Sequence, residues 1–202
     1  HIYMNKVDEL TRVIWALCLF SLLPLLAACD HIDSSDELIY VPQPPAKRVV
    51  LLEAYTGQMC VNCPNGSEVI EQLLEAYPDN LIAVGIHGGP LGFKGNSRTM
   101  GLATELGDEY YNHWKLEYQP VGLINRHGAV NYTNWIAAVK AEVLKDSYVE
   151  MSLSAVLQDN QILIEVGEQS LRGGYQGKVQ VWVLEDGITA SQKMPDGSTN
   201  PA

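Results

Sequence analysis

Apolar and polar positions follow three different rhythms along this 202-residue chain. Residues 13–26, VIWALCLFSLLPLL, are almost continuously apolar. From 47 to about 146, short apolar runs alternate with stretches of helical period. VVLL at 49–52 and LIAVGIH at 81–87 have the unbroken apolar character of strands buried on both faces. VGLINR at 121–126 predicts a third strand, and the HGAV that follows it a short fourth. Between them, Val69, Ile70, Leu73, Leu74 and Tyr77 recur at helical spacing ahead of Pro78. GLATELGDEYYNHWKL at 101–116 carries a moderate helical pattern. TNWIAAVKAEVLK at 133–145 predicts an amphipathic helix capped by Thr133, with Trp135, Ile136, Val139 and Val143 as its buried stripe.

Beyond residue 147 the period drops to two. Val149, Met151, Leu153, Ala155 and Leu157 share one face of a predicted strand, and QILIEVGEQ and KVQVWVLE predict further strands between turn residues. The expected architecture is an α/β layer over residues 47–147, followed by a partial antiparallel β-sandwich-like domain over 148–202. A sandwich usually needs about seven strands. With three or four in view, the second domain is expected to be truncated.

The first apolar run is shorter than the roughly 20 residues of a membrane span and contains Pro24. With Lys6 and Arg12 ahead of it, the run fits the apolar core of a secretory signal. LAAC at 26–29 resembles a bacterial lipobox, which favours a lipoprotein over plain secretion. On that reading residues 1–28 are a signal peptide and Cys29 carries lipid. Its acyl chains anchor the protein to a membrane, at about 0.8 kcal/mol per buried methylene. Residues 29–46, acidic and then proline-rich, read as an extended tether.

The formal charge of −11 disfavours nucleic acid as a partner, and the sequence has no glycine-rich phosphate loop. No GxSxG elbow points to a hydrolase. Nothing in the pattern specifies an oligomeric state. The four cysteines sort themselves by processing: Cys18 leaves with the signal, Cys29 is lipidated, and Cys60 and Cys63 remain. Outside the cytoplasm such a pair can persist as a disulfide. A zinc site needs about four ligands. His31, His87, His113 and His127 are the possible partners, but there is no second CxxC and no HxxxH. No metal and no cofactor is expected beyond a redox-active Cys60–Cys63 disulfide.

Cys60 and Cys63 fall where a strand gives way to a helix. Unpaired amides and the partial positive charge at a helix N-terminus favour thiolate over thiol. Cys60 is the expected nucleophile. Cys63, one turn along, can resolve a mixed disulfide formed at Cys60.

The strand–CxxC–helix unit, the order of elements and the stretch EYQPVGLINR resemble the thioredoxin superfamily over residues 47–146. The resemblance implies a central mixed sheet flanked by helices. It also implies a cis Pro120 facing the cysteines, with the backbone of Gln119 available to an extended peptide; the alternative is an ordinary trans-proline opening a strand. Glu53 matches, with an offset of one residue, a buried acid that relays protons; the alternative is a solvated strand-end charge. The chain departs from the family at Met59, where a Trp is usual, and at Val61-Asn62 in place of Gly-Pro.

Glu53, Tyr55, Thr56, Gly57, Cys60, Asn62, Cys63 and Pro64, in EAYTGQMCVNCP on a lipoprotein, are together similar to a narrower group. These are the Bacteroidetes outer-membrane lipoproteins of the twenty-eight-kilodalton outer-membrane protein family. That resemblance implies an outer-membrane location, periplasm-facing or on the cell surface, and adhesion or receptor roles. Asp30, under the sorting rule of enteric bacteria, would instead imply the inner membrane. Two functions stay open: thiol–disulfide exchange on protein or peptide disulfides, and surface binding on a thioredoxin-like scaffold.

Overall fold

The computed structural model describes residues 47–174 and 176–200. Cys29, the signal and the tether lie outside the described residues. Four strands form one sheet in the order β2-β1-β3-β4. They are β1 (Val50–Thr56), β2 (Leu81–His87), β3 (Val121–Ile124) and β4 (Ala129–Asn131). β1 runs parallel to β2 and antiparallel to β3, and β4 is antiparallel to β3, so the sheet is mixed.

The central position of β1 explains its composition: Val50, Leu52, Ala54 and Tyr55 are all buried. Alternation along the strand divides these residues between two cores. Val50, Leu52 and Ala54 face Leu73 of helix α1 (Cys63–Ala76) and Trp135, Val139 and Val143 of helix α3 (Trp135–Val143). Tyr55 faces the other side, with Val121, Leu123, Leu116 and Tyr111 of helix α2 (Glu105–His113). Gly122 of β3 has no room for a side chain, because a Cβ there would lie 2.4 Å from the Trp135 indole nitrogen. That nitrogen donates to the Val130 carbonyl at 2.9 Å, so one tryptophan locks α3 to β3 and β4.

Two helix details differ from the sequence expectation. Thr133 does not cap α3: Asn131 accepts the Thr133 N–H and hydroxyl, and a 3₁₀ turn (Tyr132–Asn134) precedes the helix. Trp135, Val139 and Val143 form the buried stripe at intervals of four, whereas Ile136, one residue and about 100° round from Trp135, is exposed.

The chain after residue 147 is mixed in outcome. β5 (Val149–Gln158) and β6 (Gln161–Ser170) form a long hairpin, and β7 (Gln192–Lys193) and β8 (Thr199–Asn200) a short one. KVQVWVLE forms no strand. Its alternation favours extended backbone, but a strand needs a ladder partner and none pairs with it among the described residues. The segment is held by side chains instead. Gln180 bonds to the Tyr110 hydroxyl, and the Trp182 ring lies 5.5 Å from the Tyr110 ring.

Candidate functional site

β1 ends at Thr56 and the chain turns through Gly57–Cys60–Cys63 into α1. The Cys60 amide donates to the Gly57 carbonyl at 3.0 Å and the Cys63 amide to the Cys60 carbonyl at 3.2 Å. Cys60 and Cys63 form a disulfide, their Cα atoms 5.3 Å apart. Both are buried, Cys60 with 1% and Cys63 with 3% of their surface exposed, while Met59 and Val61 project into solvent. Asn62 caps α1 by position without a side-chain bond, and Pro64 sits in the first turn, where its missing N–H is not needed.

The Gln119–Pro120 peptide bond is cis, immediately ahead of β3. Pro120 lies directly against the first turn of α1. A Cβ added at Gly66 would stand 3.3 Å from the Pro120 Cβ, so the glycine permits that approach. The Gln119 side chain is committed inside the fold. Its amide donates to the carbonyls of Thr56 at 2.7 Å and Gly88 at 2.9 Å, and its oxygen accepts from the Leu91 amide at 3.1 Å. Gln119 therefore fastens the C-terminal ends of β1 and β2 beside the cysteines.

Glu53 is not a solvated strand-end charge: it is fully buried. By alternation it shares the face of Tyr55, the face covered by α2 rather than by α1, which carries Cys63. Its carboxylate is engaged by Arg126, whose Nε donates to Oε1 at 3.0 Å and Oε2 at 3.2 Å, with Nη2 to Oε1 at 2.7 Å. The Arg126 guanidinium also sits 5.3 Å from the centre of the Trp182 ring and 5.9 Å from that of Trp114. The Glu53 hydrogen bonds raise the Arg126 pKa. Burial, and then the Glu53 charge, push the neighbouring Tyr55 hydroxyl well above its usual range.

Residues without a sequence signal complete the site. Gln58, 3% exposed, donates from Nε2 to the carbonyls of Met100 at 3.1 Å and Ser191 at 2.9 Å. Its Oε1 accepts from the Leu102 amide at 2.7 Å. Gln192 of β7 donates to the Cys60 carbonyl at 2.9 Å. Gln58 adjoins the cysteines in sequence, but its buried partners Met100, Leu102 and Ser191 do not, and only the folded chain brings Gln192 to Cys60. Among the described residues no three His, Cys, Asp or Glu side chains gather as a metal site. His87 ends β2, while His113 and His127 are exposed and His31 lies outside the described residues.

The family model of the outer membrane protein Omp28 matches residues 107–201. The Omp28 match takes in Gln119, Pro120, Arg126, Gln192 and Lys193, and begins after Cys60 and Cys63. The chain is also similar to the crystal structure of a protein from Agrobacterium tumefaciens, with 16% identity and a TM-score of 0.44. That similarity covers 61% of this chain and 58% of the other, and no functional statement follows from it. No curated protein matches the chain. Among the described residues no helix is long and apolar enough to cross a membrane.

Proposed function

We propose that this protein is an outer-membrane lipoprotein of the Omp28 kind, anchored through lipid on Cys29. In this reading residues 47–147 form a thioredoxin-like unit that exchanges disulfides with extracytoplasmic proteins, and residues 148–202 are part of a sandwich-like β domain. The observation that carries it is the Cys60–Cys63 disulfide at the start of α1, with the cis Pro120 packed against Gly66 of the same helix. The positive end of the α1 dipole favours negative charge on sulfur.

In the reduced form, the Cys60 thiolate attacks one sulfur of a substrate disulfide. The substrate bond breaks, its other sulfur leaves as thiolate and takes up a proton, and Cys60 is joined to the substrate. Cys63, deprotonated, then attacks Cys60 Sγ and releases the second substrate thiol, leaving the Cys60–Cys63 disulfide. Pro120 and the Gln119 backbone would position the substrate peptide. Glu53 has no part in this scheme, because its carboxylate is held by Arg126 on the other face of the sheet.

Insulin-disulfide reduction with dithiothreitol, comparing wild type with Cys60→Ser, tests this reading. A rate unaffected by the substitution sinks it. For the anchor, Cys29→Ala is expected to abolish lipid labelling, and labelling that survives refutes the lipidation site.

The second reading is a surface-binding lipoprotein on the same scaffold. It is favoured by the β5–β6 hairpin, which exposes Met151, Leu153, Leu157 and Ile162 along one face. Capture of mixed-disulfide partners by Cys63→Ala in cells separates the two: the binding reading expects none.

A further inference from the structure

The segment 191–193 crosses the cysteine turn and is bonded to it at three points. The Lys193 amide donates to the Gln58 carbonyl at 2.8 Å. The Gln58 side-chain amide donates to the Ser191 carbonyl at 2.9 Å. The Gln192 side-chain amide donates to the Cys60 carbonyl at 2.9 Å and, more weakly, to the Gly57 carbonyl at 3.4 Å. β7 pairs with β8 in register Lys193↔Thr199, and the Lys193 N–H is spent on the cysteine turn instead of that ladder. The turn thus receives an extended strand: one backbone donor, one backbone acceptor and a side-chain amide, all satisfied. Main-chain bonding of this kind is how a sheet edge or loop takes up an extended peptide.

The two cysteines of the turn are almost completely buried, although the neighbouring Met59 and Val61 are exposed. A thiol must reach Cys60 Sγ in line with the disulfide for exchange to occur, and burial at this level denies that approach.

We propose that the cysteine turn is a binding site for an extended peptide strand, that residues 191–193 fill it in cis, and that this strap gates the Cys60–Cys63 disulfide. With the strap seated the disulfide is shielded. With the strap lifted, a dithiol attacks Cys60 Sγ, Cys63 leaves as thiolate and is protonated, and the second thiol of the reductant displaces Cys60. The products are two cysteine thiols and one oxidised dithiol. The gate deepens the exchange reading and rests on it for its use, while its reactivity can be measured separately.

The test uses the full chain and follows the appearance of Cys60 and Cys63 thiols under excess dithiothreitol, by alkylation and mass spectrometry. Lys193→Pro removes the amide that bonds to Gln58, and Lys193→Ala keeps it. The expected result is reduction about tenfold faster in Lys193→Pro, the loss of roughly one hydrogen bond's worth of closure, with Lys193→Ala at the wild-type rate. Equal rates in Lys193→Pro and wild type overturn the strap. Amide deuterium exchange of the oxidised wild type gives a check that needs no variant. A protected Lys193 amide is expected, and exchange at the free-chain rate overturns the proposal. Fast reduction of Lys193→Pro with no insulin turnover supports the strap and sinks the exchange reading. Insulin turnover by wild type, with equal reduction rates in both, sinks the strap and leaves the exchange reading standing.

Discussion

Arg126 closes a bidentate pair on Glu53, Nη2 to Oε1 and Nε to Oε2, on a carboxylate with no exposed surface in the central strand of the sheet. The pair joins the turn after β3 to β1, and Trp182 stacked on Arg126 adds the segment beyond the hairpin.

Removing one partner strands a buried charge, which costs more than the pair is worth intact. Arg126→Ala is expected to lower stability by about 3 kcal/mol, the low end of the range for buried pairs because the arginine is partly exposed. Arg126→Met combined with Glu53→Gln is expected to recover part of that loss. Urea unfolding of the three variants checks both statements.

The Cys60–Cys63 bridge spans a sequence separation of three. Its chain-entropy contribution is correspondingly small, about 2 kcal/mol. Cys60→Ser with Cys63→Ser is expected to remain folded and to lose about that much. A midpoint shift of this size between oxidised and reduced protein in urea is the measurement.

His87 is partly buried at the end of β2, its Nδ1 has no partner, and desolvation holds its pKa below 6.5. The unfolded chain therefore binds this proton more readily than the native one. The stability it contributes is complete above pH 6.5 and declines as pH falls through 6.5 towards the lower native value, with a slope of at most about 1.4 kcal/mol per pH unit. His87→Gln is expected to flatten that part of the profile. Melting temperatures between pH 7.5 and 5.5, wild type against variant, decide it.

Gly122→Ala places a methyl group 2.4 Å from the Trp135 indole nitrogen. Tryptophan is enclosed by Leu52, Ala54 and Val139 in the same core and has little room to move. A loss of about 1–3 kcal/mol is expected, the usual range for overpacking. Thermal unfolding followed by tryptophan fluorescence measures it.

The central sheet is legible in the sequence because β1, β2 and β3 are apolar runs; β1 and β3 are buried along almost their whole length, whereas β2, at the edge of the sheet, buries Leu81 and Val84 and exposes Ile82. β2 coincides with LIAVGIH, β3 falls within VGLINR, and β4 overlaps HGAV but begins two residues into it and ends one residue beyond it. The cysteine pair announces itself by spacing. KVQVWVLE misleads because alternation reports a preference for extended backbone and says nothing about whether a neighbour is in place to pair. Glu53 misleads differently: its position in β1 is plain, but the face it occupies and the arginine that meets it are set by the register of β1 on β3. The bonds of Gln58 and Gln192 are illegible for the same reason at longer range, since 133 residues separate Gln58 from the Ser191 carbonyl and 132 separate Cys60 from Gln192.

That separation also orders events as the chain folds. The cysteine turn closes locally, whereas seating Gln192 on Cys60 requires a loop more than forty times longer, at about 3 kcal/mol of additional chain entropy. Contacts of such range form late. The two thiols can therefore pair while the far end of the chain is still free: the bond forms in an open turn, and the folded protein presents a closed one.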